Sequence, residues 1–326
     1  LCIQSHFEVY FAVSNDKYND IQGVRMHRLL KPIIASIPAF FLISSVQAQG
    51  IFGHWDPIMH EDMEERIPGP FVGDYAGLPV NDAARLRADS WQPSLLTLQE
   101  HQCKPHPSTY GFRGVGNLYI WQELDPDSLE LVKIGTHIRW QAQRREIWMD
   151  GRPHPDEMAP HTWQGFSTGY WEGDTLVVET THLKAGWMRR NGLALSDQAT
   201  MVERFIPQGE GETILHIYMV QDPIYLDDVF FKSNGFSKRA NTTMDPYPCR
   251  PATEIIRPAG EVPHNLPGES TYAVEFSEML GVPIEAGRGG GITMLPEYMD
   301  VVRDWREENM TAEERNGDGN IFPVRE

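Results

Sequence analysis

Between residues 117 and 238 apolar and polar positions alternate with a period of two, the spacing of strands that bury one face. Runs rich in aromatic and β-branched side chains recur at 118–122, 131–133, 137–141, 145–149, 201–206, 212–220 and 229–233, and each predicts a strand. Asp125-Pro126-Asp127, Asp150-Gly151 and 208–211 supply turn residues between them. The stretch 163–181, Trp-Gln-Gly-Phe-Ser-Thr-Gly-Tyr-Trp-Glu-Gly-Asp-Thr-Leu-Val-Val-Glu-Thr-Thr, predicts an antiparallel hairpin turning on Glu172-Gly173-Asp174. In 212–220, Thr213, Leu215, Ile217 and Met219 form an apolar face, while Ile214, His216, Tyr218 and Val220 form a mixed one. Two partly buried faces on one strand suit a wall packed on one side and lined on the other. The predicted fold is therefore mainly β, an antiparallel barrel-like domain that encloses a cavity.

The flanks have a different texture. Residues 49–116 form an irregular lead-in with Pro57, Pro68, Pro70 and Pro79, in which Asn81 caps a short helix through Ala84 and Ala88 that Pro93 stops. Residues 246–326 form a proline-rich tail. Within it Tyr298, Val301, Val302 and Trp305, at i, i+3, i+4 and i+7 behind Pro296, predict a C-terminal amphipathic helix that lays this stripe on the domain. No low-complexity linker or fixed-period repeat divides 49–326, so a single β-rich domain is expected. At the other end the first methionine is Met26, followed by Arg28 and Lys31, an apolar run over 32–45 and Val46-Gln47-Ala48. This is the pattern of an export signal over 26–48, cleaved after Ala48, with 1–25 an untranslated upstream segment. The apolar run is too short for a span and holds two prolines, so no stable membrane anchor is expected.

Charge and cysteine content then set compartment and partners. The formal net charge is −18, and loss of residues 1–48 removes four basic and three acidic residues, giving −19. Such a chain repels a phosphate backbone, so nucleic acid is not an expected partner. Export leaves Cys103 and Cys249 where oxidation is permitted, and a disulfide between them is expected. Because His101 and His106 flank Cys103, a metal site is the rival reading. The expected location is the periplasm or the extracellular medium.

No stretch carries a specific catalytic signature. Gly165-Phe166-Ser167-Thr168-Gly169 matches the nucleophile elbow, but a strand and a turn follow the serine where the elbow requires a helix. Its glycines are read as serving a bulge or tight bend. Residues 154–161 gather His154, Asp156, Glu157 and His161 in one loop, and an imidazole oriented by a carboxylate can move protons or hold a divalent metal. No H-E-x-x-H or H-x-H spacing fixes a metal there, and no cofactor is expected. By alternation His182 shares a face with Leu176, Val178 and Thr180, which would project it into the interior beside His216. Glu203-Arg204 suggests a cross-strand pair at a rim. Asp222-Pro223-Ile224-Tyr225 suggests a turn whose carboxylate either caps backbone amides or reaches a pocket. The candidate catalytic residues are thus His161, His182, Asp156 and Asp222. Trp148, Trp163, Trp171, His216, Tyr218 and Tyr225 are the candidates for lining a ligand cavity.

The segment Ile147-Trp148-Met149-Asp150-Gly151-Arg152-Pro153-His154-Pro155, the Trp-Glu-Gly-Asp-Thr-Leu-Val-Val hairpin and Asp222-Pro223-Ile224-Tyr225 resemble, over residues 90–250, a widespread family of exported bacterial proteins of unassigned function. That resemblance brings no catalytic residues with it. The strand rhythm alone is similar to lipocalin-like barrels, which implies a hydrophobic cavity. The expected function is binding of a small hydrophobic or aromatic molecule in an internal cavity. The alternative is a periplasmic enzyme in which His161 or His182 acts as general acid or base on a hydrophobic substrate, assisted by Asp156 or Asp222. A third possibility is an interaction protein that uses its acidic surface and proline-rich tail.

Overall fold

The computed structural model describes residues 50–315 apart from 62, 67–68, 95–96 and 254–255, and the export signal and upstream segment proposed for 1–48 lie outside the described residues. Nine strands close into a barrel: β1 (Gly53–Pro57), β2 (Leu118–Leu124), β3 (Leu131–Ile138), β4 (Gln143–Trp148), β5 (Phe166–Glu172), β6 (Thr175–Thr181), β9 (Thr200–Gln208), β10 (Thr213–Gln221) and β11 (Phe230–Lys238). Around the ring the order is β1-β11-β10-β9-β6-β5-β4-β3-β2, while β7 (Gly186–Trp187) and β8 (Ala194–Leu195) form a separate ribbon. An up-and-down lipocalin barrel has eight strands.

Strands that alternate in direction cannot close round an odd ring without a parallel pair of neighbours. That pair is β4–β5, joined only through Ile147↔Ser167 and Trp148↔Thr168, and every other neighbouring pair is antiparallel. A parallel connection must carry the chain back to the end it started from, which takes a dozen residues or more. Here residues 149–165 do so. The turn predicted at Asp150-Gly151 is therefore the start of a crossover. Barrel closure thus generates both the loop that holds His154, Asp156, His161 and Trp163 and the shortest seam in the wall.

Two other elements differ from their sequence pattern. The runs 131–133 and 137–141 belong to one strand, β3, through Gly135, and the chain leaves it for a 3-10 turn at Trp140–Ala142. The indole of Trp121 fills the space over Gly135, where a Cβ would lie 2.2 Å from ring carbons, so the glycine is a packing device and not a break. β1 falls in the irregular lead-in because only Trp55 of its five residues is buried, which leaves no period to detect.

The interior is layered. Along β9, β10 and β11 the inward residues run Met201, Glu203, Phe205; Val220, Tyr218, His216, Ile214; and Phe230, Asn234, Phe236. Phe205, Ile214 and Phe236 join Ile51, Trp55, Phe112, Leu118, Ile120, Ile134 and Ile147 in one apolar layer. Met201, Tyr218, Val220 and Phe230 join Tyr75, Val80, Ala84, Met188 and Leu195 in another. Burial of each large apolar side chain in these layers contributes ~1.5–3 kcal/mol. Arg145, Ser167, Thr180, Glu203, His216 and Asn234 form a buried polar belt between them. Tyr218 and His216, expected to line an internal cavity, are buried within these layers.

Outside the wall, Asn81 caps the helix Asp82–Asp89 by accepting the Ala84 N–H at 3.0 Å, and that helix ends at Ser90, before Pro93. The helix Tyr298–Asn309 buries Val302 but leaves Val301 49% exposed, so the predicted stripe is not buried as a unit. Arg306 fixes it to the end of the helix Tyr272–Leu280, donating to Leu280 O and Gly281 O at 3.0 and 2.8 Å. Cys103 and Cys249 are disulfide-bonded, which removes Cys103 as a metal thiolate. Among the described residues no helix is long and apolar enough to cross a membrane.

Candidate functional site

Beyond their two paired positions β4 and β5 diverge, and a cleft of about 470 Å³ opens between them. One wall carries Gln141, Arg144, Glu146 and Trp148, and the other Trp163, Gln164 and Phe166. Side chains bridge the walls as a floor: the half-buried Gln164 Nε2 donates to Gln143 Oε1 at 3.1 Å and the buried Arg145 Nε to Ser167 Oγ at 2.9 Å. The crossover is pinned beside the cleft, with Thr162 N–H donating to His182 O, Lys184 N–H to Thr162 O (both 2.9 Å) and Ser108 N–H to Trp163 O (3.2 Å). Cations hold the indoles in place. Arg152 lies 3.5 Å and Lys133 5.2 Å from the Trp148 ring, and Lys184 lies 5.4 Å from that of Trp163.

Below the floor runs a polar chain whose direction can be deduced. Arg113 donates to Asn234 Oδ1 at 2.8 Å, so the Asn234 amide NH₂ faces His216 Nδ1 at 3.1 Å and donates to it. The His216 proton therefore sits on Nε2 and is donated to Glu203 Oε1 at 3.0 Å. Burial pushes the His216 pKa down despite Glu203, in keeping with this neutral ring. Burial would raise the Glu203 pKa, but the Arg145 guanidinium and the bonds from His216 and Arg145 prevail and hold it at about 2. Both imidazole nitrogens are engaged, and Ser167 Oγ is engaged by Arg145 and Thr180. This constellation resembles a catalytic one in composition, yet Glu203, His216 and Ser167 are buried and already bonded to one another's neighbours, out of reach of a substrate in the cleft.

On the other side of the crossover the histidines form a second chain. His182 Nε2 bonds the Asp156 carbonyl at 2.7 Å, and since a carbonyl only accepts, the proton lies on Nε2. With neutral rings the rest follows: Thr181 O–H donates to His182 Nδ1 (2.7 Å), His154 Nδ1–H to Thr181 Oγ1 (2.7 Å) and Thr168 O–H to His154 Nε2 (2.8 Å). Burial lowers the His154 pKa, with Glu179 opposing and His182 assisting, which favours that neutral state. His161 is different. Its Nδ1–H donates to Leu183 O at 2.8 Å, while Nε2 has no partner among the described residues. The ring borders a cavity of about 470 Å³ lined also by Glu157, Met158, His182, Asp197 and Thr200.

The structure brings His161 and His182 together, ring centroids 5.2 Å apart, but it does not unite them with His216. His182 has a positive φ of 56°, which breaks the strand alternation after Thr181 and turns the ring toward the crossover instead of the barrel interior. The Asp156 carboxylate bonds Met158 N–H and neither ring. The Asp222 carboxylate is consumed by Ser196 N–H and O–H (both 2.7 Å) and by Ile224 N–H (3.0 Å), a capping role. Trp148 and Trp163 line the cleft; Trp171 packs against Phe52 and Tyr225 against the cluster around Tyr75 and Val80. Glu203 and Arg204 are not a pair: Glu203 faces inward to Arg145, and Arg204 outward to Glu172 at 2.6 Å.

Sequence patterns gave no sign of Arg144, Gln164 or Phe166 in the cleft, because the seam that exposes them exists only once the ring is closed. Glu100 was also unsignalled. It pairs with His106 (2.9 Å) and Arg190, and against the effect of burial these hold its pKa at about 2. Among the described residues no group of three or more His, Cys, Asp or Glu side chains is placed to hold a metal ion. No family model, curated protein or solved structure matches the chain.

Proposed function

We propose that this is a binding protein that takes a small hydrophobic or aromatic molecule in the cleft between β4 and β5, on a rigid barrel scaffold. The observation that carries the reading is the two-residue parallel seam, which opens a recess of about 470 Å³ with Trp148, Trp163 and Phe166 in its walls. That size falls in the ~300–1,000 Å³ range of ligand clefts, which combine apolar walls with a few orienting polar groups. Arg144, Gln141 and Gln164 are those groups. The disulfide suits an oxidising compartment, in keeping with work in the periplasm or outside the cell. The reading is tested by native mass spectrometry of the purified protein together with tryptophan-fluorescence titration of whatever small molecule it carries. Trp163→Ala should weaken binding about tenfold or more with an unchanged far-UV spectrum, and Trp171→Ala should not. Equal affinity in the wild type and Trp163→Ala would sink the assignment.

One observation favours a second reading, acid–base catalysis on a hydrophobic substrate: the unpartnered Nε2 of His161 beside its own cavity. Under that reading any turnover detected should fall at least about a hundredfold in His161→Asn, the scale of a lost general base.

A further inference from the structure

We infer that the ligand of the β4–β5 cleft is a short extended peptide carrying an aromatic side chain and a carboxylate, which adds to β4 as a strand. The inference rests on the reading of that cleft as the binding site.

The β3–β4 ladder sets which peptide groups face the cleft. Met149 N–H donates to Val132 O at 2.8 Å, so Ile147, Arg145 and Gln143 also turn their peptide groups to β3. Trp148, Glu146 and Arg144 therefore turn theirs the other way, toward β5. There β5 pairs with Ile147 and Trp148 only, and the slanted bonds of a parallel pair reach back no further than the Glu146 carbonyl. The N–H and C=O of Arg144 and the N–H of Glu146 face the cleft with no strand partner among the described residues.

On the opposite wall the carbonyls are already taken. Trp163 O and Gln164 O accept from Ser108 N–H and Oγ at 3.2 and 3.3 Å, and Gly165 O accepts from Thr162 Oγ1 at 3.1 Å. An open edge is a template for another extended chain, and proteins ordinarily cover it or blunt it. Here it lies recessed between aromatic side chains. Three main-chain groups match two or three residues of added strand, about 10 Å at a rise of ~3.3 Å per residue.

Charge selects among peptides. Glu146 is neutralised by Lys133 at 2.7 Å. Arg144 is exposed and lines the cleft, with no ion pair among the described residues. In a chain of net charge −18 it presents a local cation, and its planar guanidinium matches a carboxylate with two parallel bonds. Trp163 and Phe166 then receive the aromatic side chain.

The experiment uses the intact oxidised protein and four probes: N-acetyl-Gly-Gly-Phe as the free acid, its C-terminal amide, its analogue with every peptide nitrogen methylated, and 3-phenylpropionate. Affinity is read by calorimetry, and contact by shifts of the Arg144 and Glu146 backbone amides in ¹⁵N-resolved NMR spectra. The free acid should bind and move both amides. N-methylation should weaken it about tenfold or more through lost main-chain bonds, as should the C-terminal amide or the exposed change Arg144→Gln. If 3-phenylpropionate binds in the cleft as tightly as the peptide and methylation has no effect, the peptide inference falls while the cleft remains a binding site. If no probe binds and the protein's own small molecule is insensitive to Trp163→Ala, both fall.

Discussion

Glu203 and Arg204 are adjacent in sequence and opposite in circumstance, and the difference is measurable. Glu203 is fully buried against Arg145, whereas Arg204 and its partner Glu172 are solvent-exposed. Glu203→Gln leaves a buried guanidinium without its counter-charge and is expected to cost ~3–5 kcal/mol. Arg204→Gln removes an exposed pair and should cost under ~1 kcal/mol. Urea unfolding of the two variants checks this, and similar losses would contradict the assigned facing. Strand alternation makes opposite facing legible for any two neighbours, but composition does not say which charge faces in. The inward partner, Arg145, lies 58 residues away and meets Glu203 only across the closed barrel. Trp148 and Trp163 were legible as ligand candidates for their chemistry alone; Phe166 and Arg144 needed the seam.

At the scale of elements, the β5–β6 hairpin is the part the pattern defines best, because alternation and turn chemistry agree. Glu172 pairs with Thr175, and Gly173, with φ of +64°, supplies the left-handed residue that a two-residue hairpin loop needs. The crossover 149–165 is legible as a loop and illegible as a crossover, since its topology follows from an odd strand count that no local window contains. Its hold on the barrel runs through Thr181 Oγ1, which bridges His154 and His182. Thr181→Val keeps the shape, deletes both bonds and leaves two half-buried ring nitrogens unpaired, an expected loss of ~1–3 kcal/mol. The loss should be local. Hydrogen exchange should quicken at Thr162 and Lys184, whose amides tie the crossover to the segment that follows β6, and remain slow in β10. Uniform acceleration would show instead that the relay supports the whole barrel.

Over the whole molecule, the disulfide and the buried titrating groups act on different states, and this separates their effects. Cys103 and Cys249 are 146 residues apart, so the bond restricts the unfolded chain, by ~5 kcal/mol in the chain-entropy limit. The buried groups act through the native state. His154 and His216 have folded pKa values below their usual 6.5, so the unfolded chain takes up protons first as pH falls past ~6.5 and stability declines until the folded values are reached. Glu203 and Glu100, held at about 2 against a usual 4.5, contribute stability that is full above pH ~4.5 and lost as pH falls through ~2. Urea midpoints should therefore fall in two windows on acidification, and Glu203→Gln should flatten the lower one. The Glu100 carbonyl touches both cysteines, whereas His154 and His216, whose unfolded rings take up protons between pH 7.5 and 5, share no partner with the disulfide, so their effects and its effect add. The loss of stability on reduction with dithiothreitol should thus be the same at pH 7.5 and, with a phosphine reductant, at pH 5. A reduction penalty that shrinks with acid would mean that the segments joined by Cys103 and Cys249 and the polar belt unfold together, as one cooperative unit.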